Sequence, residues 1–346
     1  MTVTLESPDA LRFPVLVGDI GGTNARFALI LDSNAEPRAF PTIATADFPN
    51  IDEAIQACVL DRTSVQPRTA VLAVAGPIDG EDIDLTNSAW VVRPQRLIND
   101  LGFDEVVILN DFEAQALAVS ALSPSGRAAI GGGTARENAS RVVLGPGTGL
   151  GVAGLVRSRH LWIPVAGEGG HVDLGPRTER DLEIWPHLEA IEGRISAEQI
   201  LCGRGLVNLY RAISLSNGAD HPYTTPAEIT DAARGGGDAA AAEAVQLFAI
   251  YLARVAGDLA LVFMARGGVY IGGGIFRHVL PAISVSQMRA AFEDKAPHTE
   301  LMRDIPLFAI TEPLAALSGL AFYAHNPRHF GLETQGRRWI SERSKR

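Results

Sequence analysis

The chain has 346 residues, 47% of them hydrophobic and 20% charged, which is enough apolar side chain for a sizeable core and too much for wholesale disorder. At about 150 residues per domain, that length sets a prior of two domains. Thirty Lys and Arg against forty Asp and Glu leave a net charge of −10, the wrong sign for a nucleic-acid partner, whose affinity comes from neutralising phosphates.

Among the positive charges only Lys295 and Lys345 are lysines, and neither follows a glycine-rich stretch. A phosphate loop that relies on its Lys is excluded, so phosphate chemistry falls to backbone N–H groups, Arg or a metal. Cys58 and Cys202 are too few for a disulfide framework or a Cys-rich zinc site, and they fit a reducing compartment. The first fourteen residues carry Glu6 and Asp9 and lack a signal peptide's basic and apolar regions. The apolar tract Ala244 to Ala265 is broken by Gln246, Arg254 and Asp258, so it reads as a core helix and not as a membrane span. The expectation is a cytoplasmic globular protein with neither a nucleic-acid nor a membrane partner.

In chain order, short β-rich runs alternate with helical stretches, the pattern of an α/β protein. Pro14–Ile20 and Ala25–Leu31 flank Gly21-Gly22-Thr23-Asn24 as a hairpin. A helix over Ile51–Leu60 and a strand over Thr69–Ala75 follow. Pro94–Leu101 reads as a helix with Pro near its start and Gly102 as its stop. A strand over Glu105–Leu109 runs into a helix over Phe112–Leu122, for which Asp111 is the expected cap. Ser123 to Asn138 is rich in Gly, Ser and Ala and reads as a loop. A second hairpin joins Arg141–Leu144 to Gly151–Val156 through a Gly-Pro-Gly-Thr-Gly turn. Helices are expected at Gly205–Leu215, Pro226–Ala233, Ala239–Met264 and Ser286–Phe292, and strands at Val269–Ile271 and Leu307–Ile310. The Arg-rich end (Arg337, Arg338, Arg343, Lys345, Arg346) reads as a solvated tail.

The two glycine hairpins, one near the start of each half, suggest two related α/β domains facing each other across a cleft. In the first, Gly18 to Thr23 lets successive N–H groups converge on an anion, and Asp19 at the strand end is able to hold a hydrated Mg²⁺. One such loop alone is more often an ordinary turn. With Gly147-Thr148-Gly149 as a second, the pair makes a phosphate clamp that needs no Lys. Asp111, at a strand's carboxyl end, is both a candidate helix cap and a candidate general base for a hydroxyl attacking a γ-phosphate. In Gly167-Glu168-Gly169-Gly170-His171, glycines admit a ligand while Glu168 and His171 offer hydrogen-bonding groups to vicinal hydroxyls. A glycosidase using Asp111 and Glu168 is an alternative that leaves both phosphate turns unused. Gly272-Gly273-Gly274 offers a bare backbone to a purine or phosphate, though as an isolated run it is more often a tight strand-to-helix turn.

Together these segments resemble the bacterial glucokinase family, within the hexokinase, actin and Hsp70 superfamily. The markers are Gly18-Asp19-Ile20-Gly21-Gly22-Thr23-Asn24-Ala25-Arg26, Leu109-Asn110-Asp111-Phe112, Gly147-Thr148-Gly149-Leu150-Gly151-Val152 and Gly167-Glu168-Gly169-Gly170-His171-Val172-Asp173. Gly205-Leu206-Val207-Asn208-Leu209-Tyr210 and the Gly272 run add to them. The resemblance spans Val15 to about Tyr323 and implies ATP- and Mg²⁺-dependent phosphorylation of D-glucose at its 6-hydroxyl by a cytoplasmic enzyme, a homodimer.

By family pattern, Asp111 is the base, and Asn87, Asn110, Glu168 and His171 hold the sugar. Glu192, before Ser196-Ala197-Glu198, is assigned as the remaining sugar carboxylate. ATP falls to Gly18, Asp19, Ile20, Gly21, Gly22, Thr23, Gly147, Thr148, Gly149, Gly273 and Gly274, with Asp19 also on the metal. The implied fold is a two-domain actin/hexokinase-like (ribonuclease H-like) α/β architecture with an active-site cleft between the domains. Residues 1–122 plus 311–346 form the small domain and 123–310 the large one. A non-catalytic sugar-sensing regulator on the same scaffold, or a hexose kinase of broader range, is the alternative.

Overall fold

The computed structural model describes residues 10–78, 80–86 and 88–344. It divides into two compact units. The first takes Met1–Leu122, Arg157–Ala166 and Glu312–Arg346, and the second takes Ser123–Val156 and Gly167–Thr311. The sequence leaves 157–166 in the middle segment, whereas in the structure the Trp162 carbonyl accepts the Gly331 N–H at 2.9 Å and Trp162 joins the first unit's core.

The first unit is built on a sheet in the order Arg338–Ile340, Glu105–Asn110, Thr69–Val74, Val15–Ile20, Asn24–Ile30, Arg38–Ala39. Three central strands run parallel, and the strands flanking them are antiparallel. Both faces are covered, which explains the nearly unbroken apolar runs. Val15, Val17, Val71, Leu109 and their neighbours pack under the helices Asp111–Ala121 and Ala315–His325. Leu16, Ile20, Leu72, Val74 and Ile108 face the helices Ile51–Cys58 and Pro94–Leu101. Gly319 lets the first helix pair touch, since a Cβ there would lie 2.4 Å from the Ala114 carbonyl oxygen.

The second unit repeats this plan. Its strands run in the order Leu150–Ser158, Arg141–Pro146, Val269–Ile271, Leu307–Ile310, Arg127–Ala129, again with a parallel centre and antiparallel flanks. In each unit a glycine turn therefore joins the first central strand to its antiparallel partner, at the carboxyl ends of the parallel strands. The long helix Ala239–Val262 is the core element expected from its sequence, packed against Gly203–Ser216, Pro226–Gly235 and Val285–Glu293. Arg254 donates to the Gly175 carbonyl and Asp258 pairs with Lys295, while Gln246 accepts the Ser284 N–H through its amide oxygen and leaves its amide nitrogen buried without a partner.

Two expectations fail, both for tertiary reasons. The expected loop Ser123–Asn138 contains the strand Arg127–Ala129, which owes its form to pairing with Leu307–Ile310 and not to its own composition. The expected solvated tail contains the strand Arg338–Ile340, paired antiparallel with Glu105–Val107. Lys345 and Arg346 lie outside the described residues.

Candidate active site

The first glycine turn is tightly tied down. The Gly21 N–H donates to the Asn24 carbonyl at 2.9 Å, and Thr45 clamps the turn by its N–H to the Thr23 carbonyl and its hydroxyl to the Gly22 carbonyl. Those bonds engage the Gly22, Thr23 and Asn24 carbonyls and the Gly21 N–H, with Thr23 exposed and Gly22 half-buried. Gly18 is small for another reason: a Cβ there would lie 2.8 Å from Leu72, so this glycine serves packing. Ile20 is fully buried and contributes backbone only. Asp19 ends its strand opposite Arg26, whose Nη1 is 3.1 Å from Asp19 Oδ2. Burial pushes the Asp19 carboxyl above the usual carboxylate range, and Arg26 only partly offsets it.

Asp111 is not the helix cap. The cap is Asn110, whose Oδ1 accepts the Phe112 N–H at 2.9 Å while Glu113 Oε2 accepts the Asn110 N–H at 2.9 Å, a reciprocal capping box. Asp111 therefore sits in the first turn with its capping duty taken by its neighbour. Its Oδ1 also lies 3.0 Å from the Phe112 nitrogen. The Asn110 amide nitrogen makes only a long 3.5 Å contact to the Gly76 carbonyl. Asn87 lies outside the described residues.

In the second unit, the Gly147 N–H closes the other turn on the Gly149 carbonyl at 2.8 Å. A Cβ at Gly147 would meet nothing within 4 Å, whereas one at Gly149 would lie 2.5 Å from Glu198 Oε2. Thr148 is exposed at the tip. Gly273, with φ +88°, lies against this turn so closely that a Cβ would be 2.2 Å from the Pro146 carbonyl oxygen. Gly274 beside it opens the helix Gly274–Val279 with clear space around it. The Gly203 N–H donates to the Gly147 carbonyl at 2.9 Å. A cavity of about 450 Å³ begins there, lined by Gly203, Arg204, Val207, Asn208, Thr224 and Pro226 among others.

The Gly167–His171 segment packs on the strand after that turn, because Gly170 admits the Leu150 carbonyl where a Cβ would be 2.0 Å away. Glu168 projects outward with 91% of its side chain exposed, its Oε2 3.8 Å from His171 Nε2. Glu192 stands at the exposed tip of a tight turn closed between Ile191 and Arg194, with φ +52°. Glu198, which the sequence reading passes over, is the better-placed carboxylate. Its Oε2 accepts the Leu150 N–H at 2.8 Å, and the Ala197 N–H beside it donates to the Val172 carbonyl at 2.8 Å. Glu198 thus stands where the Gly147–Gly149 turn and the Glu168–His171 segment meet. The signal was in the sequence, in Ser196-Ala197-Glu198 itself, but only the fold shows which glutamate reaches the turn.

No group of three or more His, Cys, Asp or Glu side chains suited to a metal exists among the described residues.

A family model described as Glucokinase matches residues 16–327. The chain is 62% identical over 329 residues to the glucokinase of Rhizobium johnstonii, covering 95% of this chain and 96% of that one. Against the glucokinase of Mesorhizobium japonicum it is 61% identical over 334 residues, covering 96% and 98%. A solved glucokinase from an Antarctic psychrotroph matches with a TM-score of 0.82 at 32% identity, over 91% of this chain and 100% of that chain. Agreement of this extent, along nearly the whole of both partners and in the same mixed α/β fold, makes this chain a member of the glucokinase family.

Proposed function

We propose that the chain transfers the γ-phosphoryl group of ATP to the 6-hydroxyl of D-glucose, giving glucose 6-phosphate and ADP. The observation that carries the mechanism is the division of labour at the strand end. Asn110 and Glu113 cap the helix, and Asp111, whose Oδ1 shares the Phe112 N–H, stands in its first turn to accept the proton of the attacking hydroxyl. The Asn110 amide, with its oxygen committed to Phe112, donates to a sugar oxygen. In the second unit the exposed Glu168 and His171 hold neighbouring hydroxyls, and Glu198 takes the role first assigned to Glu192, using Oε1, which Leu150 does not occupy and which lies 3.9 Å from Arg204 Nη2. Asn87 remains an expected sugar contact.

The turns Gly21–Thr23 and Gly147–Gly149 close on themselves through the Gly21 and Gly147 N–H groups and hold phosphates through the N–H groups of Gly22, Thr23, Thr148 and Gly149, with Gly273 and Gly274 extending the second. The nucleoside belongs in the cavity beginning at Gly203, whose volume suits a base and ribose. The residues fit Mg²⁺. Burial disfavours the Asp19 charge and Arg26, 3.1 Å away, only partly offsets it, so a cation bound there would complete the compensation; Mg²⁺ binds through one or two carboxylates plus phosphates and water. Bound with ATP, it would neutralise charge on the β- and γ-phosphate oxygens. The same reading makes the enzyme cytoplasmic, which suits the free buried thiols of Cys58 and Cys202, and a homodimer.

Coupled ADP release with a panel of sugars and phosphoryl donors tests the proposal. Glucose with ATP should dominate kcat/KM. Glucose binding without ADP release would identify a sugar-sensing regulator instead.

A further inference from the structure

The C-terminal segment is joined to the strand that ends at the catalytic corner. A turn closed by the Arg337 N–H on the Thr334 carbonyl at 3.0 Å, with Gly336 at φ +72°, delivers the chain to the sheet edge. From there it runs antiparallel along the strand, Arg338 opposite Val107 and Ile340 opposite Glu105, and the Ile108 N–H donates to the Arg337 carbonyl at 2.9 Å. This register sets Arg337 two residues before Asn110. Its Nη1 donates to both carboxylate oxygens of Glu113, at 3.0 and 2.9 Å. Glu113 is buried, with 6% of its side chain exposed, and it is the residue that accepts the Asn110 N–H in the capping box.

We propose that Arg337 is a positioning residue for catalysis, holding the Asn110–Asp111 corner in register through Glu113. The inference rests on reading Asp111 as the base. Arg337 lies beyond residue 327, where the match to the family model ends, so the tie is added from outside the segment that defines the family. Physically, Glu113 is a buried anion with this guanidinium as its ion-pair partner. Without Arg337 the carboxylate must take up a proton or turn toward water. Either response loosens its hold on the Asn110 N–H, and the first helical turn carrying Asp111 loses its anchor.

The same segment supplies an internal control. Arg338 Nε pairs with Glu105 Oε1 at 2.6 Å, and Glu105 has only 3% of its side chain exposed. This is an equally buried pair from the next residue, but it lies at the far end of the strand, five residues before Asn110. A purely structural role for the segment would make the two pairs equivalent.

The experiment compares Arg337→Gln with Arg338→Gln by thermal unfolding, kcat and the KM for glucose and ATP. Both should lose stability to a similar degree. Only Arg337→Gln should lower kcat, by about tenfold for a sub-ångström misplacement of the base, with the ATP KM unchanged. Arg337→Lys should restore most of kcat, because an ammonium can occupy the place of Nη1. Should Arg337→Gln not fold, the double variant Glu113→Gln/Arg337→Gln removes the buried charge and must still show the lowered kcat. Wild-type kcat in the folded Gln variant or the double variant overturns the inference, as does an equal loss of kcat in Arg338→Gln. Asp111→Asn in the same assay separates the two claims. If Asp111→Asn is inactive while Arg337→Gln is fully active, only the positioning role falls; if both turn over normally, the base assignment falls with it.

Discussion

Replacing Asp111 by Asn removes the proposed base while leaving the local structure little to lose. The contact from the Phe112 N–H at 3.0 Å can be kept by the amide oxygen. The cap itself belongs to Asn110 and Glu113, so the cost of about 1 kcal/mol usual for a lost N-cap does not arise. Thermal unfolding should therefore move little, and glucose affinity measured by calorimetry should stay near wild type. Turnover should not. Loss of a general base lowers a rate by about 10²–10⁴, equivalent to roughly 3–5 kcal/mol of transition-state stabilisation. The assay is ADP release under saturating glucose and ATP, with both KM values recorded so that the loss can be assigned to kcat. A folded Asp111→Asn enzyme with kcat within about threefold of wild type, far short of the expected range, would refute the assignment. So would a fall in glucose affinity that accounted for the whole defect, since Asp111 would then be a sugar-binding group only.

Five further substitutions follow from the local geometry and electrostatics. A Cβ at Gly147 meets nothing within 4 Å, so Gly147→Val intrudes chiefly where phosphate should lie, and the ATP KM should rise by about tenfold or more with glucose binding intact; Gly149→Val should instead damage both, because its Cβ displaces Glu198, and a matching pattern in the two variants would dispose of the clamp. Glu198→Gln should raise the glucose KM by about 5- to 100-fold, the cost of a sugar hydroxyl left without its acceptor, whereas Glu192→Gly should leave kinetics alone and relieve a left-handed backbone; steady-state kinetics on both variants would reveal a reversed pattern. Asp19 is raised by burial, so the folded state holds its proton to higher pH than the unfolded chain, and stability falls as pH rises from the unfolded value of 3.8 through the folded one. Asp19→Asn should thus flatten that acid-side fall and not lower the melting temperature of the ligand-free protein at neutral pH, while lowering kcat/KM for ATP; a marked destabilisation at pH 7 would mean that Arg26 outweighs burial.

Some of this molecule was legible in its residues because the physics involved is local. Glycines in the turns after Ile20 and Pro146, alternating or unbroken apolar runs, and Pro94 and Gly102 bounding a helix each announce their own backbone, and the observed elements lie within a few residues of those positions. The absence of a usable Lys likewise directed attention to backbone N–H groups from composition alone. What the sequence could not show depends on partners distant along the chain. Arg127–Ala129 is a strand because Leu307–Ile310 offers it a ladder, and Arg338–Ile340 because Glu105–Val107 does. Whether Asp111 caps its helix turns on Glu113 reaching back to Asn110 while Arg337 holds Glu113 from 224 residues away. Glu198 and Glu192 differ for a similar reason: only Glu198 folds against Leu150, a residue 48 positions distant from it, and a part-buried carboxylate is placed by whatever satisfies its hydrogen bonds.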